Sequence, residues 1–204
     1  MAAYKSARRQ RQAEATRQEI LQAARRLFVE RGYAATTMND IAAEADVAVQ
    51  TIYTSCGSKR ELALALNDLI DAEAGIAELG KQLRAADDPR TILALGARIS
   101  RQIQERCGDL VEALVSAAAV EPEAAAAVKD GLARHLAGTE AAARRLAKLG
   151  ALREGMTVRR AAATLAVLSS VTLWSQLRHQ HGWSFDEGER WIEESTARLL
   201  LREP

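Results

Sequence analysis

Residues 36–59 read TTMNDIAAEADVAVQTIYTSCGSK. Two short helical patterns lie here, parted by a break centred on Asp46-Val47. The first runs from Thr37 to Ala45. Thr37 can cap it, and Asp40 stands in the third helical position, a weak form of the capping box. Met38, Ile41, Ala42 and Ala45 fall on one face. Asp46 suits the break because Asp tolerates the left-handed turn better than most residues. The second pattern runs from Ala48 to Ser55. Ile52 is its main apolar anchor, and Val49, Gln50, Thr51 and Thr54 are left on outward or flanking faces. Gly57 ends it, and Ser58-Lys59-Arg60-Glu61 opens the next helix with Ser58 as N-cap and Glu61 at N3.

A helix, a sharp turn and a second short helix that is polar outside make a helix-turn-helix. Such a second helix fits the DNA major groove, where base edges carry distinguishable donors and acceptors. Gln50 and Thr51 are its hydrogen-bonding side chains near the N-terminus. Ala48 and Val49 suit thymine methyls. Thr37, Tyr53, Thr54, Ser55 and Lys59 surround them as phosphate contacts. The N-termini of the flanking helices add N–H groups suited to phosphate.

The surrounding charge agrees. Eight Lys or Arg against three Glu give the first 31 residues +5, whereas the whole chain carries +1, so the remainder is at −4. A basic head on a mildly acidic body points to a polyanion at one end, or to a solvated basic tail. Met1 to about Gln12 reads as a disordered basic arm. A helix then runs from about Glu14 to Arg31, with Ile20, Ala24, Leu27 and Phe28 on one stripe and Gly32 as its stop.

The 204 residues are 48% hydrophobic but only 4% aromatic, and the apolar content is mostly Ala and Leu. An all-α protein follows, of about nine helices. After the fourth, from Ser58 to about Ala77, helices are expected at 90–107, 109–119, 122–149, 157–181 and 185–202. An N-terminal helix-turn-helix domain, residues 1–57, would precede a helical domain, 58–204. The longest uncharged run, Ala161 to Leu177, is 17 residues. A membrane span needs about 20 strongly apolar ones, so this reads as a buried helix. The N-terminus has no apolar signal core, and Cys56 and Cys107 suit a reducing cytoplasm.

Catalytic chemistry finds little footing. Nothing pairs a nucleophile with a base and an orienting acid, and no Gly-rich phosphate loop is present. His179 and His181 point to different helix faces, so no metal site is expected, and no cofactor. Cys56 lies near Lys59 and a helix N-terminus, which would favour a thiolate. It reads either as a redox-sensitive group or as a small packing residue.

The stretch from about 14 to 66 resembles the DNA-binding domain of the TetR (tetracycline-repressor-like) family of transcriptional regulators. The residues that carry the resemblance are Ile20-Leu21-Gln22-Ala23-Ala24, Leu27-Phe28, Gly32-Tyr33, Thr36-Thr37, Ile41-Ala42, Ala45, Val47, Thr51-Ile52-Tyr53 and Gly57-Ser58-Lys59-Arg60-Glu61-Leu62. Gly182-Trp183-Ser184 through Leu201 resembles the last helices of many members. Three positions depart from the family pattern. Asp46 stands for the usual Gly, Ala48 for a Ser-like cap, and Ser55-Cys56 for an aromatic pair.

The resemblance implies a homodimer on a palindromic double-stranded operator, paired through its last two helices and released by a small-molecule effector. Leu165, Leu168, Thr172, Leu173, Trp174 and Leu177 would form one seam, and Trp191, Ile192, Ser195, Leu199 and Leu200 the other. Those positions also read as ordinary core. A ligand cavity would have Leu66, Ile70, Leu95, Ile99, Ile103 and Trp174 as apolar wall, with Arg98 and Gln102 as polar contacts. The expected function is a cytoplasmic transcriptional regulator, a repressor before an activator, and not an enzyme. The alternative is a helical ligand-binding or scaffolding dimer whose helix-turn-helix has lost DNA binding.

Overall fold

The computed structural model describes the backbone of residues 2–202 and the side chains of residues 7–202. The side chain of Lys5, part of the expected basic arm, lies outside the described residues. The chain is all-helical: α1 Ala2–Arg31, α2 Met38–Glu44, α3 Val49–Cys56, α4 Lys59–Glu73, α5 Ile76–Ala85, α6 Pro89–Ala117, α7 Pro122–Lys148, α8 Val158–Leu168, α9 Val171–Ser175 and α10 Phe185–Leu200. A π-helical segment, Gln176–Gln180, follows α9 directly. Among the described residues no helix is long and apolar enough to cross a membrane. The chain divides into two compact units. One takes in the chain through Leu69 together with Asp109–Asp130; the other takes in Ile70–Gly108 and the chain from Gly131 onward.

In the first unit α1 packs on α2 and α3. Its buried face holds Ile20, Ala24, Leu27 and Phe28, the stripe its spacing predicts, together with Leu21 and Ala23. Tyr33, just after α1, is buried against the Phe28 ring at 4.8 Å. Buried Thr36 spends its hydroxyl on the carbonyls of Leu27 and Gly32. The expected disordered arm is instead the start of α1, which is helical from Ala2. Neither Pro nor Gly interrupts residues 2–31, so nothing in the sequence stops the helix from running back to its start.

The second unit holds two apolar clusters. Leu83, Ile92, Leu93, Leu146, Leu152, Leu165 and Leu200 anchor the larger. Ala97, Trp174 and Ile192, with Leu173 and Phe185 against them, form the smaller.

Beyond the start of α1, three further elements differ from those the sequence predicts. The Cys107-Gly108-Asp109 sequence does not break α6, which runs unbroken through Gly108. A helical Gly costs about 1 kcal/mol against Ala, and here Gly108 is buried inside a long, well-packed helix. The helix expected at 157–181 is interrupted at Ser169-Ser170. The Ser169 hydroxyl donates to the Leu165 carbonyl, and the Ser170 hydroxyl accepts from the Leu173 N–H, opening α9. Serine side chains compete with the backbone for its own hydrogen bonds, which is why they end helices. Finally, α5 stands where a loop was expected, burying Leu79 and Leu83 after a left-handed Gly75.

Candidate nucleic-acid interface

Thr37 caps α2 as its sequence predicts. Its hydroxyl accepts from the Asp40 N–H, while the Asp40 carboxylate accepts from both the Thr37 N–H and the Thr37 hydroxyl. Ser58 and Glu61 repeat the arrangement at the start of α4. These bonds hold both carboxyls below the usual carboxylate range: the Thr37 side-chain bond is the main cause at Asp40, the Ser58 backbone bond at Glu61. A carboxylate depressed in the folded state adds stability above its ordinary range, and that stability is lost as pH falls through the depressed one. Acid should therefore lower the thermal midpoint of the wild type more than that of Asp40→Asn, which no longer has the charge to lose. Circular dichroism melts between neutral and acid pH decide it; parallel curves would refute the assignment.

The turn between α2 and α3 closes through Val47 N–H to the Ala42 carbonyl at 3.0 Å. Asp46 sits at φ 52°, the left-handed conformation its position demands. Ala48 begins α3 with no side-chain cap, so the helix lacks the bond a Ser-like residue would supply. Ile52 and Cys56 face inward. Gln50, Tyr53 and Thr54, at i, i+3 and i+4, share the opposite face and are exposed, Tyr53 by half its surface. Thr37 and Ala48 are exposed too, while Val49, Thr51, Ser55 and Lys59 are half-buried. A helix of eight residues thus spends two side chains on the core and offers a polar face outward.

Two features of this site were not legible in the sequence. Arg17 of α1 reaches the C-terminal end of α3, where its guanidinium donates to the Ser55 carbonyl at 2.9 Å. It ties the last turn of α3 to α1. Lys59 turns inward: Nζ donates to the Tyr33 carbonyl at 2.6 Å and lies 4.1 Å from the centre of the Tyr33 ring. Burial lowers its pKa, against the pull of Glu121 and Glu123. The Tyr33 hydroxyl in turn donates to Glu123 at 2.9 Å, and burial, more than that carboxylate, raises the phenol well above its ordinary value.

The thiolate reading of Cys56 fails. Its thiol is buried and its pKa is raised, because burial outweighs the nearby Arg17. The expected help from Lys59 is directed at Tyr33 instead.

Of the expected ligand-contacting residues, Arg98 and Gln102 line an open groove of about 230 Å³ in the second unit, with Arg101, Glu105, Arg106 and Glu189. Arg101 is clamped there by Glu189 and Asp186, each at 2.6 Å. The other six do not line it. Leu66, Ile70 and Trp174 are buried, Leu95 and Ile99 pack on the larger cluster, and Ile103 is half-buried.

Residues 20–66 match the family model described as bacterial regulatory proteins, tetR family. No curated protein sequence matches the chain. Solved structures of similar fold include NalD, the secondary repressor of the MexAB-OprM multidrug efflux pump in Pseudomonas aeruginosa. It is 23% identical, with 95% of this chain and 100% of that one covered and a TM-score of 0.72. The SmeT–triclosan complex is also 23% identical, over 93% of each chain, at 0.73. A TetR-family regulator from Syntrophomonas wolfei is 18% identical over 91% of this chain and 95% of its own, at 0.76. The α2–turn–α3 unit and its caps lie inside the matched segment, and most of the chain has the fold of these solved structures.

Proposed function

We propose that the protein is a dimeric cytoplasmic repressor that reads a palindromic operator through α3 of each copy and is released by a small-molecule inducer. The observation that carries this is the outward polar face of α3, Gln50, Tyr53 and Thr54, on a helix anchored only by Ile52 and Cys56. In this reading Gln50 and Thr51 meet base edges and Ala48 and Val49 meet thymine methyls, while Thr37, Tyr53, Thr54 and Ser55 hold phosphates. Residues 1–57 are the reading domain, and 58–204 serve ligand binding and dimerisation.

One short helix makes too few contacts for selective binding, so a two-fold pair is needed. Val167 on α8 and Trp191 and Leu199 on α10 are exposed apolar residues that a second copy would cover. Trp191 and Leu199 stand in the expected seams and Val167 is added to them, whereas Leu165, Trp174, Leu177, Ile192 and Leu200 are already buried within the chain. The groove at Arg98 and Gln102 is the candidate for an effector's polar end. NalD is described as a repressor and SmeT was solved with triclosan, which supports both halves of the reading.

The test is an anisotropy titration against DNA flanking the protein's own gene. Gln50→Ala should change preference at one base pair by about 1–3 kcal/mol. Equal weakening on every sequence would remove Gln50 from base reading. Absence of any wild-type binding at low salt would favour a scaffolding dimer.

A further inference from the structure

The family match begins at residue 20, yet α1 begins at Ala2. About the first five turns of α1 thus lie ahead of the matched segment. There the described side chains from Ala7 to Ala15 are all exposed, so this stretch buries nothing. Arg8 and Arg9 stand side by side on it, with Arg11 one turn on. Neither Arg8 nor Arg9 has an ion-pair partner among the described residues, and Arg11 donates only to the carbonyl of Ala7 in its own helix. The first acid along this stretch is Glu14, which accepts a hydrogen bond from Gln18. Two adjacent, unneutralised guanidinium groups on an exposed helix repel each other, and a polyanion relieves that repulsion.

The charge belongs to the helix that packs on α3. Arg17 is tied to the Ser55 carbonyl at the C-terminal end of α3. That end carries Tyr53, Thr54 and Ser55, the side chains assigned to phosphates above. From Arg17 back to Arg9 is eight residues, about 12 Å at 1.5 Å each. The basic residues thus lie about two helical turns along α1 from its contact with the C-terminal end of α3, on the same unbroken helix. Duplex DNA carries one negative charge per about 1.7 Å of axis, so phosphate is available well beyond the groove that α3 would enter.

We propose that the N-terminal stretch of α1 is a second DNA contact, in which Arg8 and Arg9 take phosphates beside the segment read by α3. The proposal rests on the reading of α3 as the DNA-reading helix, and it adds a sequence-independent grip from outside the matched segment. Guanidinium pairs phosphate in a bidentate fork, so arginine suits this role by geometry as well as charge.

Binding to mixed-sequence duplex DNA, followed by anisotropy between about 50 and 200 mM salt, tests it without knowledge of the operator. The double variant Arg8→Ala/Arg9→Ala should lower the slope of log affinity against log salt by about 2 per chain, at 0.9 per phosphate lost. Alanine is the better helix former, so a melted helix would not explain the change. Arg8→Lys/Arg9→Lys should keep most of the slope. Arg159→Ala/Arg160→Ala, two exposed charges removed from the second unit, should leave it intact. A slope unchanged in the Arg8/Arg9 variant, with wild-type binding present, overturns this proposal alone; so does an equal fall in the Arg159/Arg160 control. No salt-dependent binding by the wild type overturns the reading of α3 along with it.

Discussion

Gly188→Ala should destabilise the second unit by about 1–3 kcal/mol, while Gly138→Ala stabilises it by about 0.5–1 kcal/mol. Both are single methyl additions to helices, and their opposite signs come from what the methyl meets. A Cβ built on Gly188 of α10 falls 2.5 Å from Cζ3 and 2.9 Å from Cη2 of Trp174. Real Cβ atoms do not approach so closely, so the ring or the helix must move. The ring has nowhere to go. It is fully buried, its Nε1–H donates to the Ser100 hydroxyl at 3.1 Å, and that hydroxyl donates to the Ala97 carbonyl at 2.8 Å. Phe185 packs on it at 5.8 Å. Interiors are packed near crystal density and yield only at the cost of strained rotamers or backbone shifts. Nothing lies within 4 Å of the Cβ position at Gly138, so alanine there brings only its better helix propensity. All three tryptophans, Trp174, Trp183 and Trp191, lie in the second unit, so their fluorescence during urea unfolding reports it selectively. The two sites should also couple: in a Trp174→Leu background the Gly188→Ala penalty should shrink, because the clash is gone. Equal effects of the two glycine substitutions, or a penalty undiminished once the indole is removed, would mean that the close approach does not constrain this core.

The same contrast separates what could be read in the chain from what could not. The helix-turn-helix was legible because every one of its signals is local. Thr37 and Ser58 each cap a helix with an acid three residues on, Asp46 takes the left-handed turn, and Gly57 stops α3 at φ 79°. The outward residues of α3 follow from helical spacing alone. What escaped depends on partners far along the chain. Arg17 and Ser55 are 38 residues apart, Lys59 and Tyr33 26, and Tyr33 and Glu123 90. No spacing rule links such pairs. Five of the expected seam residues turn out to be buried within the chain for a related reason. Leu165, Trp174 and Ile192 have the right character for an interface, but character does not say whether a core or a second copy covers the side chain. Even local signals compete: Gly108 suggests a stop that the packing of α6 overrides, while two serines at 169–170 make one that the apolar run around them conceals.

Lys59 tests that distinction directly, and it carries the second large expected effect. By sequence it is a phosphate ligand, a cation at a helix N-terminus beside the reading helix. By position it is a fastener. Its ammonium donates to the Tyr33 carbonyl, lies over the Tyr33 ring, and has Glu121 and Glu123 in its field, while Tyr33 itself donates to Glu123. The cation thus joins the loop after α1 to the start of α4. A hydrogen bond to a charged group contributes about 1.5–3 kcal/mol, and a partly desolvated cation over an aromatic face adds about 1 kcal/mol. Lys59→Met keeps the aliphatic stem and removes the charge. It should cost about 2 kcal/mol in urea unfolding, and the loss should persist at high salt, because a partly buried contact is screened little. At temperatures where the variant remains folded, the salt slope of its DNA binding should match that of the wild type. A phosphate ligand behaves in the opposite way: stability is untouched, and the slope falls by about 0.9 per chain. Measuring both quantities on one variant separates the roles. A slope that falls while the urea midpoint holds would show that Lys59 leaves Tyr33 to meet the DNA, and that the bond to the Tyr33 carbonyl belongs only to the protein free of it.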